Sequence, residues 1–140
     1  VLLDTSVLIA YFEPGDQTHE VATTIVDDLI RTGRNAAVVS PVTAMELLVR
    51  PLRVAPKSAV HVHDFLVRWP NLSLLSVDLH VAQEAASLRA THNFRAPDAL
   101  VIATGLVGQV AHLLTNDAEW RKKLAPIKAR IQVTELNDYL

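Results

Sequence analysis

The sequence predicts an α/β fold with a central, mainly parallel sheet of about five strands flanked by helices. Three observations point there. Short apolar runs (VLL, AAVV, LSLLSV, VAHLL, IQV) recur along the chain, with helical patterns between them. Strands run directly into capped helices, as where Ser40 and Pro41 follow AAVV. The 140 residues, half of them hydrophobic and a fifth charged, suffice for one domain with a real core and are tight for two.

In chain order, residues 1–4 read as a buried strand and 5–12 as a helix capped by Asp4, Thr5 or Ser6 and ended by Pro14 and Gly15. The stretch THEVATTIVDDLIRTG puts Val21, Ile25 and Leu29 on one helical face, with Gly33 placed to close the helix. Residues 36–39 form a second strand, and the helix begun at Ser40-Pro41 is expected to stop near Pro51. The next helix, PKSAVHVHDFLVRW, carries Val62, Phe65, Leu66 and Trp69 in one apolar stripe, as core or as interface. Residues 72–77 are a third strand, and Asp78 caps a helix through Ala90. Pro97 and Asp98 open ALVIATGLVG, apolar nearly all round and rich in small residues, which predicts close burial against the sheet. A fourth strand over 110–114 leads through Thr115-Asn116-Asp117 into the helix AEWRKKL, and 131–133 is the last strand.

Composition removes several functions. There is no cysteine, so disulfides, thiolate zinc sites and cysteine nucleophiles are absent and any metal must sit on oxygen or histidine. No apolar stretch approaches the roughly 18 residues of a membrane span, and the start lacks a basic segment followed by a cleavable apolar one, so a cytoplasmic location is expected. Because the chain starts at Val1, a few residues are expected ahead of it. The net charge of −2 argues against a dedicated nucleic-acid binder but is compatible with a nucleic-acid enzyme that has a local basic rim. Without linker, low-complexity segment or repeat, a single domain over 1–140 is expected.

Four acids stand out by position. Asp4 ends the first strand and Asp117 lies just past the fourth, at the sheet edge where ligands bind in open parallel sheets. Glu46 lies in a helix where every near neighbour except Thr43 is apolar, and Asp98 heads the most hydrophobic helix. Isolated ionised carboxylates in such settings need a partner or a cation. Plain roles remain open for each: caps for Asp4 and Asp117, a favourable helix-dipole position for Asp98, and a solvent-facing turn for Glu46. Together at one edge they would repel, and a hard cation such as Mg²⁺ or Mn²⁺ is the usual remedy. That combination suits phosphodiester hydrolysis, with Ser6, Thr115 and Asn116 orienting carboxylates or water.

The motifs Asp4-Thr5-Ser6 after an apolar strand, Glu46 after Ser40-Pro41, Pro97-Asp98-Ala99-Leu100, and Thr115-Asn116-Asp117 with Trp120 behind resemble the PIN-domain family. Within it the chain looks most like the VapC-type toxins of bacterial toxin–antitoxin pairs. The resemblance spans essentially the whole chain in order and spacing. It implies a three-layer PIN-like fold and a Mg²⁺-dependent (or Mn²⁺-dependent) endoribonuclease with Asp4, Glu46, Asp98 and Asp117 as catalytic and metal-binding acids. It also implies Ser6 and Thr115 as supporting hydroxyls, an RNA substrate, a homodimer, and a cognate antitoxin whose tail blocks the cleft.

Other residues attract no such role. The six histidines are scattered, and His61 and His63, two apart on a helix, make a poor metal pair. No serine sits in a nucleophile elbow and the four glycines form no phosphate loop. Arg50, Arg53, Arg95, Arg121, Lys122 and Lys123 lie near the acidic motifs as candidate phosphate contacts or as ordinary surface. Two other functions are compatible: a catalytically silent protein-binding module, and a phosphatase or receiver domain using Asp4 as phosphoacceptor. The latter fits less well, because a dehalogenase-type phosphatase needs a second aspartate where Ser6 stands.

Overall fold

The computed structural model describes residues 1–139. Five strands, β1 (Leu2–Leu3), β2 (Ala37–Val39), β3 (Leu72–Leu74), β4 (His112–Thr115) and β5 (Gln132–Glu135), form one sheet in the order β3-β2-β1-β4-β5. All pairs are parallel, with Leu2 opposite both Val38 and Leu113, and Leu3 opposite Leu114. Between the strands run α1 (Thr5–Phe12), α2 (His19–Thr23), α3 (Pro41–Val54), α4 (Pro56–Arg68), α5 (Leu79–His92), α6 (Ala96–Val107) and α7 (Glu119–Leu124). The expected parallel sheet, flanked on both faces, is what forms.

Period-two alternation divides the core. Leu3 and Leu114 face a cluster with Val7, Leu8, Val26, Ile30, Phe65 and Leu66, contributed by α1, the second helical segment and α4. Leu2 and Leu113 face the opposite cluster, with Val81, Leu88, Ile102, Trp120 and Leu124 from α5, α6 and α7. The stripe Val62, Phe65 and Leu66 is therefore core, with Trp69 packed against it and donating Nε1–H to the Val26 carbonyl at 3.3 Å. As expected, α6 is closely buried over its middle, at Ala99 and from Val101 to Gly105.

Several boundaries differ from expectation. Helix α3 continues through Pro51 to Val54; Leu47 is buried beside Val62 and Phe65 of α4, and this packing outweighs the one missing backbone bond. The turn to α4 falls instead at Ala55, whose extended φ of −152° breaks the helix. Strand β3 ends at Leu74, α5 runs to His92 before Asn93 adopts a left-handed cap, and β5 sits two residues later at its far end than the apolar run suggests. Beyond Thr23 the second helix widens into a π-helical segment, Thr24–Ile30, and Gly33 (φ +81°) closes it as expected. Among the described residues no helix is long and apolar enough to cross a membrane.

At Gly105, α6 comes so near β1 that a Cβ would lie 2.8 Å from Cδ2 of the fully buried Leu2. Alanine normally stabilises a helix interior relative to glycine, so the sign of the effect is diagnostic here. Gly105→Ala is expected to destabilise the chain by about 1–2 kcal/mol, read as a lowered thermal midpoint.

Candidate active site

From β1 the chain crosses over to β2 and then β3 on one side, and later returns to the other side of β1 as β4. This reversal is the point at which open parallel sheets hold ligands, outside the carboxyl ends of the strands. Asp4 follows β1 directly and Thr115 ends β4, so two residues far apart in sequence meet there.

Asp4 occupies the N-cap position of α1, is only 8% exposed, and makes no side-chain capping bond. Its Oδ2 instead accepts from Ser6 Oγ at 2.6 Å and Thr115 Oγ1 at 2.8 Å. Behind these hydroxyls, the Asn116 N–H donates to Ser6 Oγ at 2.8 Å and the Asp117 N–H to Thr115 Oγ1 at 3.0 Å. Bonds to a charged group of this kind contribute about 1.5–3 kcal/mol each and offset the burial of the carboxylate.

Helix α3 packs through Thr43, Ala44 and Leu47, which turns Glu46 to the exposed side despite its apolar sequence neighbours. Thr5 Oγ1 donates to Glu46 Oε2 at 2.5 Å, so Thr5 holds Glu46 and does not take the capping role open to it in the sequence. Asp98, in the first turn of α6, is partly buried, and Lys123 Nζ lies 3.2 Å from its Oδ2 and 5.0 Å from the Trp120 ring centre. Asp117 is exposed and its Oδ1 accepts from the Glu119 N–H at 2.9 Å, the local cap the sequence also allowed.

A pattern joins the four. Each acid is engaged through one oxygen and, among the described residues, leaves its other oxygen without a hydrogen bond. Among the described residues no three His, Asp or Glu side chains are grouped so as to hold a metal ion by themselves. The donor set fits a hard cation of the Mg²⁺ kind, which takes one or two carboxylates and completes its shell with water and substrate oxygens.

Of the cations near the acidic motifs, Arg50 pairs with Glu13, and Arg121 with Glu135 and Asp138. Arg53, Arg95 and Lys122 are exposed and make no ion pair among the described residues. His19 Nδ1 lies 2.8 Å from the Ala10 carbonyl, and the other five histidines are exposed. Sequence reasoning missed the parts of Thr5, Lys123, Asp16 and Thr18. Asp16-Gln17-Thr18 carries a usable signal, an Asx-turn spacing, and Asp16 Oδ1 accepts both the Thr18 N–H at 2.7 Å and its hydroxyl at 2.6 Å.

Fold and site together define an α/β protein whose parallel sheet presents clamped acids at its switch point. The chain belongs to the PIN domain family, whose model matches residues 1–124. Solved structures share the fold at low identity. A toxin–antitoxin complex from Klebsiella pneumoniae is 19% identical, covers 97% of both chains and has a TM-score of 0.66. FitAcB from Neisseria gonorrhoeae is 20% identical over 96% of both chains, TM-score 0.68. VapC20 of Mycobacterium tuberculosis, described as a sarcin-ricin loop cleaving toxin, is 17% identical over 86% of this chain and 92% of that one, TM-score 0.65. No curated protein sequence matches the chain significantly.

The two bonds from Thr18, its hydroxyl first and its N–H second, hold the Asp16 carboxyl below the usual carboxylate range. A group depressed in the folded state stabilises above its unfolded value near 3.8 and loses that contribution as pH falls through the folded value. Asp16→Ala should therefore lower the thermal midpoint at neutral pH, and the gap to the unmodified chain should close in acid.

Proposed function

We propose that the chain is a divalent-cation-dependent endoribonuclease acting as the toxin of a toxin–antitoxin pair. The observation that carries the reading is Asp4 of a PIN domain, at the end of the central strand, held through Oδ2 by Ser6 and Thr115 with its other oxygen free. The chain's resemblance in fold to VapC20, a sarcin-ricin loop cleaving toxin, supports RNA as substrate.

Mg²⁺ or Mn²⁺ taken directly by one or two of Asp4, Glu46, Asp98 and Asp117, with the others reaching it through water, would supply an activated water and charge neutralisation for phosphodiester hydrolysis. The protein's own share is positional. Ser6 and Thr115 engage Oδ2 of Asp4 and leave Oδ1 for the site, Thr5 does the same for Glu46, and Asn116 supports Ser6. Lys123 beside Asp98, together with exposed Lys122 and Arg95, offers cations to the RNA backbone without the strongly basic surface of a constitutive binder. An RNA substrate is consistent with a cytoplasmic place of action.

A cognate antitoxin is the proposed protein partner, supported by the toxin–antitoxin assemblies among the structural neighbours. A cavity of about 280 Å³ opens beside Glu46, lined by Ile9, Phe12, Leu47 and Pro51 with Glu13 and Arg50, and suits an apolar side chain of that partner. Exposed Met45, Leu52 and Val54 on α3 supply apolar surface for a homodimer.

Purified chain is expected to cleave RNA with Mg²⁺ or Mn²⁺ and to stop when the cation is chelated. Asp4→Asn and Asp98→Asn should each lower cleavage by at least about a hundredfold without unfolding the protein. Mn²⁺ at a hundred times its dissociation constant should stabilise the unmodified chain by about 2.7 kcal/mol in thermal melts. Cleavage that persists in chelator, or in Asp4→Asn, would overturn the reading.

A further inference from the structure

We propose that Asp16 and Thr18, in the turn after α1, are positioning residues for the acid site, acting on Asp4 through Asn116 and Ser6. The inference rests on the nuclease reading only for its functional consequence; its structural content stands on a count of protons.

Each hydroxyl in the network has one proton to give. Ser6 Oγ and Thr115 Oγ1 both lie within bonding distance of Asp4 Oδ2, at 2.6 and 2.8 Å, and 3.2 Å from each other. Backbone N–H groups, which can only donate, each take one lone pair of a hydroxyl oxygen from behind. The carboxylate can only accept and makes the shorter contacts, so both hydroxyl protons go forward to it, and the 3.2 Å contact between the two oxygens is left without one.

Asn116 is the source of this order. Its N–H donates to Ser6 Oγ at 2.8 Å and its Nδ2 to Thr18 Oγ1 at 2.8 Å. Thr18 in turn donates to Asp16 Oδ1 at 2.6 Å. Two runs of donors thus leave one residue in opposite directions, and each ends on a carboxylate, Asp4 or Asp16. Every proton has a single assignment, and the Asn116 peptide is held in the orientation that aims its N–H at Ser6.

The cap positions support this assignment. Thr18 is the N-cap residue of α2 and, like Asp4 before α1, makes no side-chain capping bond. A threonine at that position would ordinarily contribute about 1 kcal/mol by accepting from the first turn. Here Thr18 is only 3% exposed, and its hydroxyl is committed to Asn116 and Asp16. Helix stability is given up at two consecutive cap positions in favour of one network.

The decisive variants are Thr18→Val, which keeps shape and loses the hydroxyl, and Thr18→Ser, which restores it. In the metal-free chain, hydrogen exchange of the Asn116 N–H should speed up at least tenfold in Thr18→Val and return to the original rate in Thr18→Ser. Calorimetric Mn²⁺ affinity should fall about 10–100-fold in Thr18→Val, the range for loss of a supporting partner of a metal ligand. RNA cleavage should lose kcat with KM little changed, and again recover with serine. Unchanged Asn116 exchange in Thr18→Val overturns the inference whether or not the chain is a nuclease. Absence of Mn²⁺ binding by the unmodified chain overturns the nuclease reading and leaves the exchange result to decide the network. Should Thr18→Val fail to fold, Asp16→Ala, in a partly exposed turn, is read by the same exchange measurement with the same two outcomes.

Discussion

The hydroxyl of Thr115 donates to Oδ2 of Asp4 across 111 residues of sequence, and the sheet edge is organised around that bond. The carboxylate of a residue only 8% exposed is tolerable only where donors reach it, and the strand pairing brings Thr115 to it. Register puts Leu3 beside Leu114, so the next residue of each strand, Asp4 and Thr115, emerges at the same height. A slip of one residue would exchange the two core faces and separate acid from donor. Packing and polar chemistry therefore impose the same register.

The strand that carries this burden is only two residues long, Leu2 and Leu3. It is secured by neighbours on both sides in the sheet and by a helix on each face. The close seat of α6 at Gly105 brings that helix down on Leu2, and Val7 and Leu8 of α1 cover the face of Leu3. Helix α6 leads into β4, and its first turn sets Asp98 beside Lys123 of α7, the helix that follows β4.

Much of this was legible in the sequence, for reasons that differ by element. Strand and helix order followed from period and caps: Ser40 caps α3 and Asp78 caps α5 as read, each through a side-chain bond to the first turn. The burial of α6 followed from its composition. Pro51 misled because local propensity favours a stop there, while the burial of Leu47 against α4 is a tertiary effect that no local pattern carries. The π-helical widening over Thr24–Ile30 left no pattern that the apolar periodicity could separate from an ordinary helix. At the site, Asp4, Ser6, Thr115 and Asn116 were visible from their positions at strand ends and do meet. The apolar surroundings of Glu46 in sequence suggested a buried charge, yet one helical turn separates a core face from an exposed one. The contacts of Thr5 with Glu46, Lys123 with Asp98 and Thr18 with Asn116 were not legible, because each joins different elements, where spacing along the chain says nothing.

The strand order also sets when the edge can exist. During synthesis β1 is made first, but its partner β4 follows more than a hundred residues later, and such long closures are made late in folding. Until Thr115 and Asn116 have emerged, Asp4 has Ser6 alone and no anchor for it. A nascent chain, or one broken off before β4, thus carries all of α1 and α3 yet has no assembled edge. Closure of the sheet at β4 and assembly of its polar edge become a single event.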